Sequence, residues 1–141
     1  TSTRLLRNAS DMGALMRAFY GEGVAARFTQ LIHDHLQIAI NLVAAAKAGD
    51  TARAAQIERE WYENADEIAR FMSRINRHWS QRALRDMLHR HLALTKDEAV
   101  AILSGDYQKS VELYDEIELQ ALMMADAFSA GIIADFPQVF R

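Results

Sequence analysis

The chain has 141 residues, half of them hydrophobic and a quarter charged, with a formal net charge of −3. That length holds one ordinary core. The charge offers no footprint for nucleic acid, since Arg74, Arg77, Arg82, Arg85 and Arg90 are spread among acidic and apolar residues.

The absence of cysteine excludes disulfides, thiolate metal sites and cysteine nucleophiles. No uninterrupted apolar run reaches the roughly 18 residues that span a bilayer, and the best candidate, 121–133, is cut by Asp126. The expectation is therefore a single domain over 1–141, cytoplasmic, with no membrane insertion and no nucleic-acid partner. One proline and six glycines in a chain rich in Ala, Leu, Glu, Arg and Met favour long helices. Strand signals, meaning alternating β-branched runs and Asn-Gly or Asp-Gly turns, are missing.

In chain order, a short first helix is expected over 10–20, capped by Asn8 or Ser10 and stopped by Gly21. A second covers 22–48 and ends at Gly49. Asp50 or Thr51 caps a third that continues to about Asn76. After a break at 77–79, Ser80 caps a fourth. Thr95 to Glu98 has the form of a capping box, so this helix is expected to kink or restart there. Gly105 stops it, and Asp106 caps the last long helix, which ends before Phe136-Pro137. Short connections between long helices force antiparallel neighbours. The expected fold is all-α: an up-down antiparallel bundle of four long helices, the fourth kinked, plus the short N-terminal helix. The helix lengths repeat without an evident sequence repeat beneath them.

Steps of 100° place one polar residue within the apolar stripe of each long helix. His35 lies among Phe28, Leu31, Ile32, Ile38 and Leu42, and Asn64 among Ile57, Trp61, Ile68 and Met72. His91 lies among Leu84, Met87, Leu88 and Leu92, and Glu118 among Val111, Tyr114, Ala121, Leu122, Ala125 and Ile132. Asp115 sits at the edge of that last stripe, while His33 and His89 point outward. His35 and Asn64 are equidistant from the turn at Gly49, Asn64 and His91 from that at Arg77, and His91 and Glu118 from that at Gly105. All four are therefore expected near mid-bundle in one polar cluster.

An ionised Glu in a helical core is costly unless paired. Two imidazoles and a carboxylate form a ligand set for one divalent metal, Zn, Mn or Fe: His35, His91 and Glu118, with Asn64 and Asp115 in support. A metal-free His–Glu–His–Asn hydrogen-bond network satisfies the same residues.

Other chemistry has less to stand on. A ferritin-like pair of Glu-x-x-His motifs is absent, since 86–89 reads Asp-Met-Leu-His, and there is no His-Glu-x-x-His, phosphate loop or Gly-x-Ser-x-Gly. Met123, Met124 and Phe128 read as packing residues. Ala121, Ala125 and Ser129 form a small-residue face that lets another helix approach closely. The acidic run 106–118, apart from Glu118, reads as a solvated face.

The stretches 4–8 (Arg-Leu-Leu-Arg-Asn), 47–50 (Lys-Ala-Gly-Asp), 61–69 (Trp-Tyr-Glu-Asn-Ala-Asp-Glu-Ile-Ala), 87–92 (Met-Leu-His-Arg-His-Leu) and 123–126 (Met-Met-Ala-Asp), with Gly131-Ile132, resemble a group of small bacterial helical proteins. The likeness covers essentially the whole chain. That group has no established activity, and the enzyme names sometimes attached to it, such as glycosyltransferase, have no motif behind them here. The resemblance implies the helical fold. It also implies a further helix, bearing a Trp and a His, ahead of the stretch at 4–8, and, in some members of the group, a His where this chain has Glu118.

Three functional expectations follow. The first is a small binding protein whose mid-bundle site holds a divalent metal or a small polar ligand. The second is a structural or protein-interaction module whose buried polar residues only satisfy one another. The third is an acid–base enzyme using Glu118 and a histidine, which needs an open cleft. A lost first helix would expose an apolar face, so a homo-oligomer or a retained N-terminal fragment is expected as partner.

Overall fold

The computed structural model describes residues 2–141, and every regular element among them is an α-helix. The elements are α1 (Ser2–Lys47), α2 (Thr51–Ile75), α3 (Gln81–Ser104) and α4 (Tyr107–Asp135). The chain divides into two compact units, Thr1–Ile75 and Asn76–Arg141. The first holds α1 and α2, the second α3 and α4.

Within the first unit, α1 begins at Ser2 rather than near Ser10, and Asn8 is not a cap: its side-chain oxygen accepts from Arg4 Nη1 at 2.9 Å. The expected stop at Gly21 is present as an interruption, with φ 83° and ψ 178°, a conformation open to glycine and strained for any other residue. The stretch before Gly21 lies against the stretch after it. A Cβ on Gly13 would sit 1.9 Å from Thr29 Oγ1 and 3.6 Å from the Ala25 carbonyl oxygen. Only glycine permits that approach. Ala9, Gly13 and Met16 form the covered face of the leading stretch.

The two inter-helix turns are built alike. At the end of α1, Gly49 has φ 73°, the Asp50 N–H bonds the Ala45 carbonyl at 3.1 Å, and the Gly49 N–H bonds that of Ala46 at 3.0 Å. At the end of α3, Gly105 has φ 79°, the Asp106 N–H bonds Ala101 at 2.9 Å, and the Gly105 N–H bonds Ile102 at 3.2 Å. Each is a left-handed glycine closing a helix with paired reverse bonds. Each aspartate then caps the next helix, Asp50 accepting from Arg53 N at 3.0 Å and Asp106 from Lys109 N at 3.1 Å. The turns make α1–α2 and α3–α4 antiparallel hairpins.

α3 starts where Ser80 caps it, accepting from Ala83 N at 3.3 Å. It then runs unbroken to Ser104, so the expected kink at Thr95 is absent. The Thr95 hydroxyl instead donates to the His91 carbonyl at 2.7 Å, one turn back inside a continuing helix. Ahead of α3, the loop is fastened to the far end of α4. Asn76, 1 % exposed, donates to the Gly131 carbonyl at 2.9 Å and accepts from His78 N at 2.8 Å. The Trp79 indole lies over Gly131, where an added Cβ would meet Nε1 at 1.9 Å, and its N–H reaches the Ala127 carbonyl at 3.3 Å. Leu94, Ala101 and Leu113 form a buried cluster near the Gly105 turn, with Ile117 packed beside them.

By length and composition alone α4 is long and apolar enough to cross a membrane, although Asp126 interrupts its longest apolar run.

Candidate functional site

His35 sits on α1 fourteen residues before Gly49, and Asn64 sits fifteen after it on α2. Antiparallel pairing brings them level. His35 Nδ1 and Asn64 Oδ1 are 2.6 Å apart, and Asn64 Nδ2 donates to the Leu31 carbonyl at 3.2 Å. Both residues are buried.

The second contact fixes the chemistry of the first. A backbone carbonyl only accepts, so the amide end facing Leu31 is the NH2 end and the end facing His35 is the oxygen. A carboxamide oxygen also only accepts, so Nδ1 carries the proton and donates. The histidine is held in one tautomer by a carboxamide that is itself tied to the turn below. The Trp61 ring lies against His35 with centroids 5.5 Å apart. Its own indole N–H is buried and meets no acceptor among the described residues.

The second hairpin repeats the device. His91 Nδ1 and Gln120 Oε1 are 2.9 Å apart, and Gln120 Nε2 donates to the Met87 carbonyl at 3.0 Å. The spacings match: histidine to amide is 29 residues in both hairpins, and amide to carbonyl is 33 in both. The same tautomer argument applies. A repeat of 56 positions (35 to 91, 64 to 120, 31 to 87) therefore underlies the chain, contrary to the expectation that only helix lengths recur. It pairs His33 with His89, Leu36 with Leu92, Gly49 with Gly105 and Asp50 with Asp106. Ala65 pairs with Ala121 and Ala69 with Ala125. The leading stretch of α1 carries a third set, since Asn8, Ala9, Gly13 and Met16 stand one repeat before Asn64, Ala65, Ala69 and Met72.

Three of the four residues expected to share one cluster thus belong to two clamps, each inside its own unit. His35 and Asn64 make one. His91, half-buried, makes the other with Gln120, a residue the periodicity passed over. Glu118 is exposed, and so is Asp115, which corrects the expectation that Glu118 is a core carboxylate. The physical reason is that α4 is apolar on two sides. One side carries Leu113, Ile117, Gln120 and Gly131 and is covered; the other carries Val111, Tyr114, Ala121, Leu122 and Ala125 and is open. Glu118 belongs to the open side. The spacing 29, which His35 and Asn64 already display, is the signal that finds Gln120. His33 is exposed as expected, whereas His89 is half-buried.

Among the described residues, no group of three or more His, Asp or Glu side chains is placed to hold a metal ion. Two grooves flank the clamps at equivalent positions. The one beside Asn64, about 390 Å³, is lined by Asp34, Glu60, Glu63 and Glu67 with Gln37 and Ile38, and Arg27 of α1 pairs with Glu67. The one beside Gln120, about 140 Å³, is lined by Met87, Leu119 and Met123 with Arg90 and Glu116. The repeat thus carries an acidic groove in one hairpin and an apolar one in the other. No family model, curated protein or solved structure matches the chain.

Proposed function

We propose that the chain is a helical interaction module built on a repeated hairpin, in which histidine sets helix register and the outer helix faces meet partners. The observation that carries this reading is the closure of both clamps. In each, the imidazole Nδ1–H is satisfied by a carboxamide whose own NH2 is satisfied by a backbone carbonyl one turn below the histidine. A one-residue slip of either hairpin breaks both bonds at once and leaves buried polar groups unpaired, so the clamp selects a single register. The up-down arrangement of all the helices belongs to the same proposal, as the simplest way to continue two antiparallel hairpins.

Glu118 belongs to neither clamp, which takes support from an acid–base reading that pairs it with a histidine. The reading of His35, His91 and Glu118 as ligands of one divalent metal has the same difficulty, because Glu118 is on the open side of α4.

A double-mutant cycle on His35→Ala and Asn64→Ala, followed by urea unfolding, is expected to give a coupling of about 1–2 kcal/mol. Elemental analysis of protein purified without chelators or affinity nickel completes the experiment. Stoichiometric zinc, manganese or iron that is lost in His35→Ala, with no coupling in the cycle, would overturn the register role and restore the metal reading.

A further inference from the structure

We propose that the open side of α4 is a self-association surface on which a second copy of this chain lays its own α4 antiparallel. This rests on the interaction-module reading and names its partner. Four positions along that side are large and exposed: Tyr107 at 69 %, Val111 at 63 %, Tyr114 at 56 % and Leu122 at 58 %. Ala121, Ala125 and Ser129 continue the stripe, also exposed. A helix with two apolar sides ordinarily has both covered.

The repeat shows how this face is used elsewhere in the chain. One repeat earlier, Ala65 and Ala69 are each 0 % exposed, whereas their counterparts Ala121 and Ala125 are open. Two repeats earlier, Ala9 and Gly13 are covered, and Gly13 lies directly against the helical stretch that follows Gly21. The face is one that accepts a helix.

The distribution of size along the stripe says which helix fits. Its N-terminal half is bulky, with Tyr107, Val111 and Tyr114, and its C-terminal half is small, with Ala121, Ala125 and Ser129. An isologous contact requires a patch complementary to itself. Antiparallel pairing about a centre between 121 and 122 supplies this, placing Tyr114 opposite the partner's Ser129 and Glu118 opposite the partner's Ala125. Leu122 then lies beside its own counterpart. The two Glu118 carboxylates fall roughly 10 Å apart along the axis at 1.5 Å per residue, beyond the reach of strong repulsion at physiological salt.

Five large side chains, the four named and Ile133, each expose on the order of 100 Å², so about 500–600 Å² per copy becomes buried. That is at the lower end of specific interfaces and implies micromolar association.

A lipid surface is the weaker fit. α4 carries Glu112, Asp115, Glu116, Glu118, Asp126 and Asp135 against a single Lys109, a balance that anionic headgroups repel.

Because the sequence has no cysteine, single cysteines read the geometry directly. Under diamide oxidation, Leu122→Cys is expected to form a covalent dimer. Tyr107→Cys alone is not, while mixing Tyr114→Cys with Ser129→Cys yields the mixed dimer. In sedimentation equilibrium, Ala125→Glu, which sets a second carboxylate against the partner's Glu118, is expected to be monomeric with unchanged helicity. Glu118→Leu, which removes the one charge in the stripe, tightens the dimer about tenfold.

A monomer up to millimolar concentration overturns the proposal, as does self-crosslinking of Tyr107→Cys as fast as Leu122→Cys, which indicates parallel pairing. Monomeric protein that floats with phosphatidylcholine vesicles overturns it in favour of lipid. The His35–Asn64 cycle repeated in Ala125→Glu keeps the two readings separable, since the coupling persists in a monomer whether or not the dimer exists.

Discussion

The two hairpins share their internal device and differ in their outer surface. Both turn at a left-handed glycine followed by a capping aspartate, and both are clamped by a histidine and a carboxamide 29 residues apart. On α2, however, the positions one repeat before Tyr107, Val111, Tyr114 and Leu122 carry Thr51, Ala55, Glu58 and Asp66. On α4 the uncovered side presents Tyr107, Val111, Tyr114 and Leu122. The same backbone instruction has been kept in both while the solvent-facing residues have been exchanged. A clamp specifies register without specifying a partner. What the second hairpin adds is a surface that water does not satisfy.

The sharpest way to break this contrast is to place a charge at equivalent positions. Ala69→Arg buries a guanidinium where the alanine is 0 % exposed. With no carboxylate supplied to pair it, the cost is expected to exceed about 4 kcal/mol, enough to unfold the first unit. Ala125→Arg, one repeat later on an open face, is expected to change monomer stability by no more than about 0.5 kcal/mol. Urea unfolding of both variants decides the matter. Equal destabilisation would mean that the face around Ala125 is as closed as that around Ala69.

Much of the architecture was legible in the residues. The glycines at 21, 49 and 105 and the caps at Asp50, Ser80 and Asp106 carry local chemistry that tertiary context does not override. His35 and Asn64 were legible for the same reason, as polar residues on stripes that have only one apolar side. The reasoning broke at α4, where the apolar stripe containing Glu118 is genuine but uncovered. Periodicity identifies a stripe; it does not say whether another helix lies on it. Gln120 was missed because it lies on the covered side of α4, away from the stripe around Glu118, although its distance from His91 matches that of Asn64 from His35. Thr95 misled differently, since Thr-x-x-Glu opens a helix only when the backbone N–H groups around it are free. Inside α3 they are bonded, and the hydroxyl turns back to His91.

The two clamps differ in depth, and that difference sets the next effect. Asn64→Ala leaves the Nδ1–H of His35 unpaired in a site 8 % exposed, at an expected cost of about 2–3 kcal/mol. Gln120→Ala removes the same bond from a half-buried histidine that water reaches more easily, so about 1–2 kcal/mol is expected. Thermal or urea unfolding measures both. A larger loss at Gln120 would show that the second clamp, not the first, carries the tighter register.

The smallest effect is expected next to the first clamp, where the repeat substitutes one apolar residue for another. Trp61 of α2 corresponds to Ile117 of α4, and each packs one turn ahead of its clamp amide. Trp61 is 3 % exposed and stacks against His35, so its ring contributes packing and an aromatic contact. Its indole N–H, however, is buried without an acceptor among the described residues, and an unmade bond of that kind costs about 1–3 kcal/mol. Trp61→Phe keeps a ring against His35, deletes the orphaned donor and leaves a small void. The void costs about 1–2 kcal/mol and the deleted donor returns a similar amount, so the net change is expected to lie within about 1 kcal/mol of zero. Trp61→Ala has no such offset and is expected to lose about 3–5 kcal/mol. A Phe variant as damaged as the Ala variant would mean that the indole N–H is bonded in solution and belongs to the clamp.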